Sequence, residues 1–159
     1  MTTKLSRLAA LTAGAGSLAL LLGAFAFQYV GGLSPCPMCL WQRWPHALGA
    51  LLAVAVAATG IARLPAILGA AAMAVSTGLG VFHSGVERGW WEGPNTCTSG
   101  PIGGLTPDQL MDQIMAAPLV RCDEIAWEMF GLTMPNYNAL ISLALMALWI
   151  AAFRTARRG

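Results

Sequence analysis

The stretch LAALTAGAGSLALLLGAFAFQYV, residues 8–30, carries no charged side chain. A bilayer core about 30 Å thick takes about 20 helical residues to cross, so this run alone predicts a membrane-spanning helix. Three more stretches read the same way: Ala47 to Ala62, Leu64 to Val86 with one histidine, and Tyr137 to Phe153. The second and fourth stretches are slightly short, and each can borrow neutral neighbours, Trp44 to His46 in one case and Pro135 to Asn136 in the other. None shows the period-2 alternation of a membrane barrel strand. The expected fold class is all-α, an integral membrane four-helix bundle. One membrane domain over residues 1–159 is expected, with helices at about 8–30, 45–62, 64–86 and 136–153.

Composition supports this reading. Hydrophobic residues make up 57% of the 159-residue chain and charged residues 10%, against about 25% charged in a typical soluble domain. Such a chain is neither disordered nor an ordinary soluble domain. At net charge +2, with no basic cluster before the C-terminal tail, a nucleic-acid partner is not expected. The expected surroundings are the lipid bilayer, and the many Ala and Gly residues let helices approach closely within it.

The connections are unequal. A few residues around Arg63, Leu64 and Pro65 join the second and third helices as an antiparallel hairpin. Outward loops are expected at 31–44 and 87–135, the latter being the long loop between helices 3 and 4. With four spans, Lys4, Arg7, Arg63, Arg154, Arg157 and Arg158 share one side, and Arg43, Arg88 and Arg121 the other with all seven acids. Six Lys and Arg against three place both termini in the cytoplasm by the positive-inside rule. Trp41, Trp44, Trp90 and Trp91 then fall near the outer interface. Lys4 and Arg7 before an apolar run ending in Ala24-Phe25-Ala26 also resemble a cleaved signal peptide. The run exceeds the usual 7–15-residue signal core, so a retained helix is expected.

All four cysteines lie in the outward segments: Cys36 and Cys39 in the first, Cys97 and Cys122 in the second. Outside the cytoplasm an even cysteine number commonly means structural disulfides, and Cys97 with Cys122 alone reads that way. Cys36-Pro37-Met38-Cys39 reads differently. A bridge over two residues constrains the unfolded chain little, whereas such spacing suits a redox pair with one thiol made acidic. Haem attachment needs His directly after the second cysteine, where Leu40 stands. A thioredoxin-like site needs a βαβ context. A four-cysteine zinc site lacks a second short pair, so no metal is expected.

The segment Pro35-Cys36-Pro37-Met38-Cys39-Leu40-Trp41-Gln42-Arg43 resembles the first periplasmic loop of the disulfide bond formation protein B (DsbB) family. Phe27-Gln28 before it is similar, as is Cys122-Asp123-Glu124 leading through Trp127, Phe130-Gly131-Leu132 and Met134-Pro135 to the last helix. The likeness covers most of the chain. It implies a multi-pass protein of the bacterial inner membrane that reoxidises a soluble periplasmic DsbA-like thiol oxidase. The electrons would pass to the membrane quinone pool, ubiquinone or menaquinone. It further implies that Cys97 forms the mixed disulfide with the partner, that Cys122 exchanges with Cys36, and that Cys39 is the thiolate facing the quinone.

Several residues then have two readings. Arg43 is a snorkelling interfacial cation or, following the motif, the group that lowers the Cys39 pKa and stabilises charge on the reduced quinone. Gln28 either bonds a quinone carbonyl or caps the first helix. His83 and Glu87, four residues apart, either handle protons during quinone reduction or merely end the third helix. His46 reads as an interface residue. Cys97, in a Gly-, Pro- and Thr-rich stretch, is expected to be open to a partner's groove. Thr106-Pro107-Asp108-Gln109 reads as a capping box, followed by the apolar face of Leu110, Met111, Ile114 and Met115 and a stop at Pro118. A helical turn is expected from Asp123 to Phe130, capped by Gly131. The sequence departs from the family at Pro37, at Pro45, expected to interrupt the start of the second helix, and at Gln42, where an acid is often found. Two rival functions remain: a four-helix quinone-linked thiol enzyme resembling vitamin K epoxide reductase, and a non-enzymatic membrane protein stapled by two disulfides.

Overall fold

Helix α1, Thr2–Tyr29, absorbs the first apolar run and is followed by α2, Pro37–Thr59, α3, Arg63–Glu87, and the short α4, Pro107–Ala116. Two-residue strands β1, Glu128–Met129, and β2, Leu132–Thr133, then precede α5, Met134–Ala156. These elements come from a computed structural model that describes residues 2–94, 97, 104–116 and 120–156. Helices α1 (from Lys4), α3 and α5 are long and apolar enough to cross a membrane. Helix α2 is of similar length, but Gln42, Arg43 and His46 lower the hydropathy of its first half.

The chain is mostly helical, in keeping with the expected all-α class, with one short hairpin. The expected helical turn from Asp123 to Phe130 is instead an antiparallel hairpin pairing Glu128 with Thr133 and Met129 with Leu132. Its two-residue turn, Phe130 and Gly131, has φ of 52° and 73°, the doubly left-handed geometry that matches strand twist. Gly131 therefore serves a hairpin and does not cap a helix. The Tyr137 hydroxyl donates to the Met129 carbonyl at 2.9 Å, and Arg88 Nη2 donates to the Gly131 carbonyl at 3.3 Å. Trp127 lies between Phe27 and Tyr137, with ring centroids 5.3 and 5.9 Å away.

Helix α2 begins well before residue 45. Cys36 is its N-cap and Pro37 occupies the first turn, where no backbone N–H is needed. Pro45 lies inside the helix without ending it. One lost backbone bond is outweighed because α2 packs against both α1 and α3. At its other end, Gly60 adopts φ 73° and donates its N–H to the Val56 carbonyl, closing the helix before the turn into α3.

Helix α1 packs against α2 and α5, and α3 against the same two. Their shared interior is built from small side chains such as Ala10, Ala13, Ala53 and Ala66, with Met73 and Trp149 as the large members. A Cβ on Gly69 would run into the Trp149 ring, and one on Gly14 into Ala53. Large apolar side chains face outward instead: Leu22, Leu51, Val54 and Leu64 are all more than half exposed. Small residues inside and large ones outside suit helices surrounded by lipid.

The capping box is present: Thr106 N–H donates to Gln109 Oε1 at 3.0 Å, and Gln109 N–H to Thr106 Oγ1 at 3.4 Å. Met111, Ile114 and Met115 on α4 are exposed. Pro118, expected to end this helix, lies outside the described residues.

Candidate functional site

The first turn of α2 places two cysteines at one helix end. Cys36 Sγ accepts the Cys39 backbone N–H at 3.2 Å, as an N-cap side chain does. Its own S–H donates to Cys39 Sγ at 2.9 Å. Both are free thiols, Cys36 buried and Cys39 partly so. Accepting the Cys36 hydrogen bond lowers the Cys39 pKa; burial opposes this, and Arg43 assists only weakly. Donating that bond, together with burial, pushes Cys36 up. The pair thus holds its first negative charge on Cys39.

Cys97 and Cys122 form a disulfide. Both are fully buried, and they share one cluster with Cys36, Met38 and Val86. The expectation of an exposed Cys97 is therefore corrected. Burial against Met38 and Val86 covers the sulfur, even though the sequence around Cys97 is polar. The two cysteine pairs meet in one buried cluster.

Arg43 follows Cys39 by about one helical turn. Its Nη1 donates to Gln28 Oε1 at 2.7 Å, and the guanidinium lies 5.0 Å from the Phe25 ring centroid. A cavity of about 330 Å³ opens beside the thiols, lined by Cys36, Cys39, Arg43, His83 and Glu87 among a mostly apolar wall that includes Phe27 and Trp127. Its volume falls in the usual range for small-molecule sites. Gln28 is absent from this wall and reaches the site through Arg43. Glu87 Oε2 is buried without a partner among the described residues.

A buried polar chain extends from the thiols into the helices, and sequence reading missed it. His83 Nε2 lies 3.6 Å from Cys36 Sγ, and the ring also hydrogen-bonds the Cys122 backbone. Gln42 Nε2 sits 3.0 Å from His83 Nδ1 and 3.2 Å from the Met38 carbonyl, so both amide hydrogens have acceptors. Asn138 Nδ2 donates to Gln42 Oε1 at 2.7 Å. Asn138 Oδ1 in turn accepts from His46 Nε2 at 2.8 Å. Ser76 and Ser142 complete the group around His46. His46, 3% exposed, is thus an interior residue and not an interfacial one. The available signal was spacing: Gln42 with His46, and Asn138 with Ser142, are i,i+4 pairs that put polar groups on one face of a helix. Such polar groups turn inward in lipid.

Cys36 Sγ, Cys39 Sγ and a His83 ring nitrogen lie within 4.8 Å of one another, close enough to grip a metal ion. In the neutral ring one nitrogen donates and the other accepts, so a metal at Nε2 requires the proton on Nδ1, where Gln42 Nε2 lies 3.0 Å away.

The family described as "Disulfide bond formation protein DsbB" matches residues 6–152. Similar proteins include disulfide bond formation protein B of Burkholderia thailandensis, 30% identical over 89% of this chain and 85% of its own length. Disulfide bond formation protein B 2 of Pseudomonas entomophila is 29% identical over 89% of both chains. An uncharacterised protein of Rickettsia prowazekii is 28% identical over 82% of this chain and 77% of its own. No solved structure matches the chain.

Proposed function

The chain belongs to the DsbB family, and from that premise we propose that it is a membrane oxidoreductase that forms disulfides by oxidising a soluble periplasmic DsbA-like dithiol protein at the expense of a membrane quinone. The observation that carries this reading is the wall of the 330 Å³ cavity, where Cys39 meets Arg43 and apolar surface while the Cys97–Cys122 disulfide lies in the cluster behind Cys36. A lipid-soluble acceptor suits that wall, and a protein dithiol suits the loop.

In this reading the DsbA-like partner's thiolate attacks Cys97, and Cys122 leaves as a thiolate. Cys122 then attacks Cys36 of an oxidised Cys36–Cys39 pair, which expels Cys39. The partner's second thiol closes its own disulfide and frees Cys97 as a thiolate, which attacks Cys122 of the Cys122–Cys36 bond and expels Cys36. The net yield is one partner disulfide and a reduced Cys36–Cys39 pair. Ubiquinone or menaquinone supplies a two-electron acceptor that takes up two protons. Arg43, fixed by Gln28 and Phe25, offers positive charge to its oxygen. His83 and Glu87 border the same space, where protons must be taken up. Residues 8–30, 45–62, 64–86 and 136–153 are the proposed spans, with both termini cytoplasmic and the protein in the bacterial inner membrane. Helix α4 lies on the outer bilayer surface through Met111, Ile114 and Met115.

The quinone half is tested on detergent-purified protein with Cys36 and Cys39 reduced, mixed anaerobically with ubiquinone and then with menaquinone. One quinol per Cys36–Cys39 disulfide is expected, with none formed in Cys39→Ser. Thiols that stay reduced with both quinones would overturn it.

A further inference from the structure

We propose that Gln42 and Asn138 are positioning residues that hold His83 as a neutral Nε2–H donor to the Cys36 sulfur. Gln42 bridges two fixed points. The Met38 carbonyl can only accept, so the Gln42 amide nitrogen, not its oxygen, faces it, with His83 Nδ1 beside that nitrogen. Asn138, from α5, donates to the Gln42 oxygen and secures this orientation. The Asn138 orientation is itself set by its oxygen accepting from His46 and its nitrogen facing Ser76. Each link constrains the next, from the interior to the thiol.

Cys36 Sγ therefore faces two N–H groups, the Cys39 backbone at 3.2 Å and His83 Nε2 at 3.6 Å. Charge accumulates on this sulfur whenever Cys36 gives up its proton, and two donors ease that ionisation. His83 thus acts as a hydrogen-bond donor to sulfur and not as its base. Other ionisable groups around the cavity are Cys39, Arg43 and His46 on α2, Glu87 on α3, Arg121 and Glu124 in the loop, and Tyr137 on α5. None of their side chains bonds to Nδ1 among the described residues, so the Gln42 amide and the Cys122 backbone, which the ring also hydrogen-bonds, together decide where the ring proton sits. The proposal rests on the reading above only in treating Cys36 as a reacting thiol.

The test uses the full chain in detergent with ¹⁵N-labelled histidine. The chain has two histidines, and His83→Asn assigns the spectrum. Wild type is expected to show His83 as the neutral Nε2–H tautomer. In Asn138→Asp, the carboxylate turns the Gln42 amide over, and the ring proton is expected to move to Nδ1. In a Cys39→Ser background, the alkylation rate of Cys36 below its midpoint pH is then expected to fall about tenfold, as for one lost charge-assisted hydrogen bond. Should Asn138→Asp not fold, Gln42→Glu places an acceptor directly beside Nδ1, and protonation of Nδ1 is expected there. An Nδ1–H tautomer in wild type, or an unchanged tautomer and pH profile in the variant, would overturn the proposal. Neither readout involves quinone or the partner protein, so failure here is separate from failure of the proposed function.

Discussion

The Cys39 pKa is lowered chiefly because a neighbouring thiol donates to it, and this fixes the sign of its pH behaviour. A thiol whose folded pKa is lowered contributes stability above its unfolded pKa and loses it as pH falls through the folded value. Cys36, shifted upward, behaves in the opposite sense and loses its contribution as pH rises. In the reduced protein, the pH midpoint for alkylation of Cys39 is expected to lie below the ordinary thiol range. Removing Cys36 as Cys36→Ala is expected to raise that midpoint; an unchanged midpoint would mean that Arg43, not Cys36, holds the charge. Arg43 has a separate task. Its planar fork reaches Gln28 while its face lies over Phe25, a combination that lysine does not reproduce. Arg43→Lys is expected to raise the quinone KM by about tenfold, the scale of one charge-assisted hydrogen bond. An unaltered KM would remove Arg43 from the quinone site.

At the scale of elements, the β1–β2 hairpin and the close helix contacts make the clearest demands on sequence. Gly131 sits at φ 73°, which costs a residue with a side chain about 1–2 kcal/mol. Gly131→Val is expected to lower thermal stability in detergent by at least that much, while Phe130→Asn, at φ 52°, is expected to raise it, because Asn tolerates this conformation. Gly69 faces Trp149, a fully buried residue. Gly69→Val is expected to cost about 1–3 kcal/mol by overpacking, read as a lower midpoint in thermal unfolding. The hairpin escaped sequence reading because two-residue strands are too short to show a period of two, and Gly131 reads equally well as a helix cap. Pro45 misled in the other direction. Its local cost is visible in sequence, whereas the packing of α1 and α3 that absorbs it is not.

Across the whole molecule, four apolar runs, the Cys36–Cys39 spacing and Arg43 one turn beyond were all legible, because each is a local pattern. The junctions were not. Burial of Cys97 depends in part on Met38, which lies far from it in sequence, and the Gln42–Asn138 bond joins residues 96 apart. Such links explain how two cysteine pairs from separate loops form one cluster at one end of the helices. They also make the central claim testable as a single process, with electrons entering at Cys97–Cys122 and leaving at Cys39. The direct measurement is rapid-mixing absorbance of the purified protein with a reduced periplasmic thioredoxin-like oxidase and ubiquinone, following partner oxidation and quinone loss together. One quinone lost per partner disulfide formed is expected, with turnover abolished in both Cys97→Ser and Cys39→Ser. Full turnover in either variant would contradict the relay, as would partner oxidation that proceeds without quinone loss.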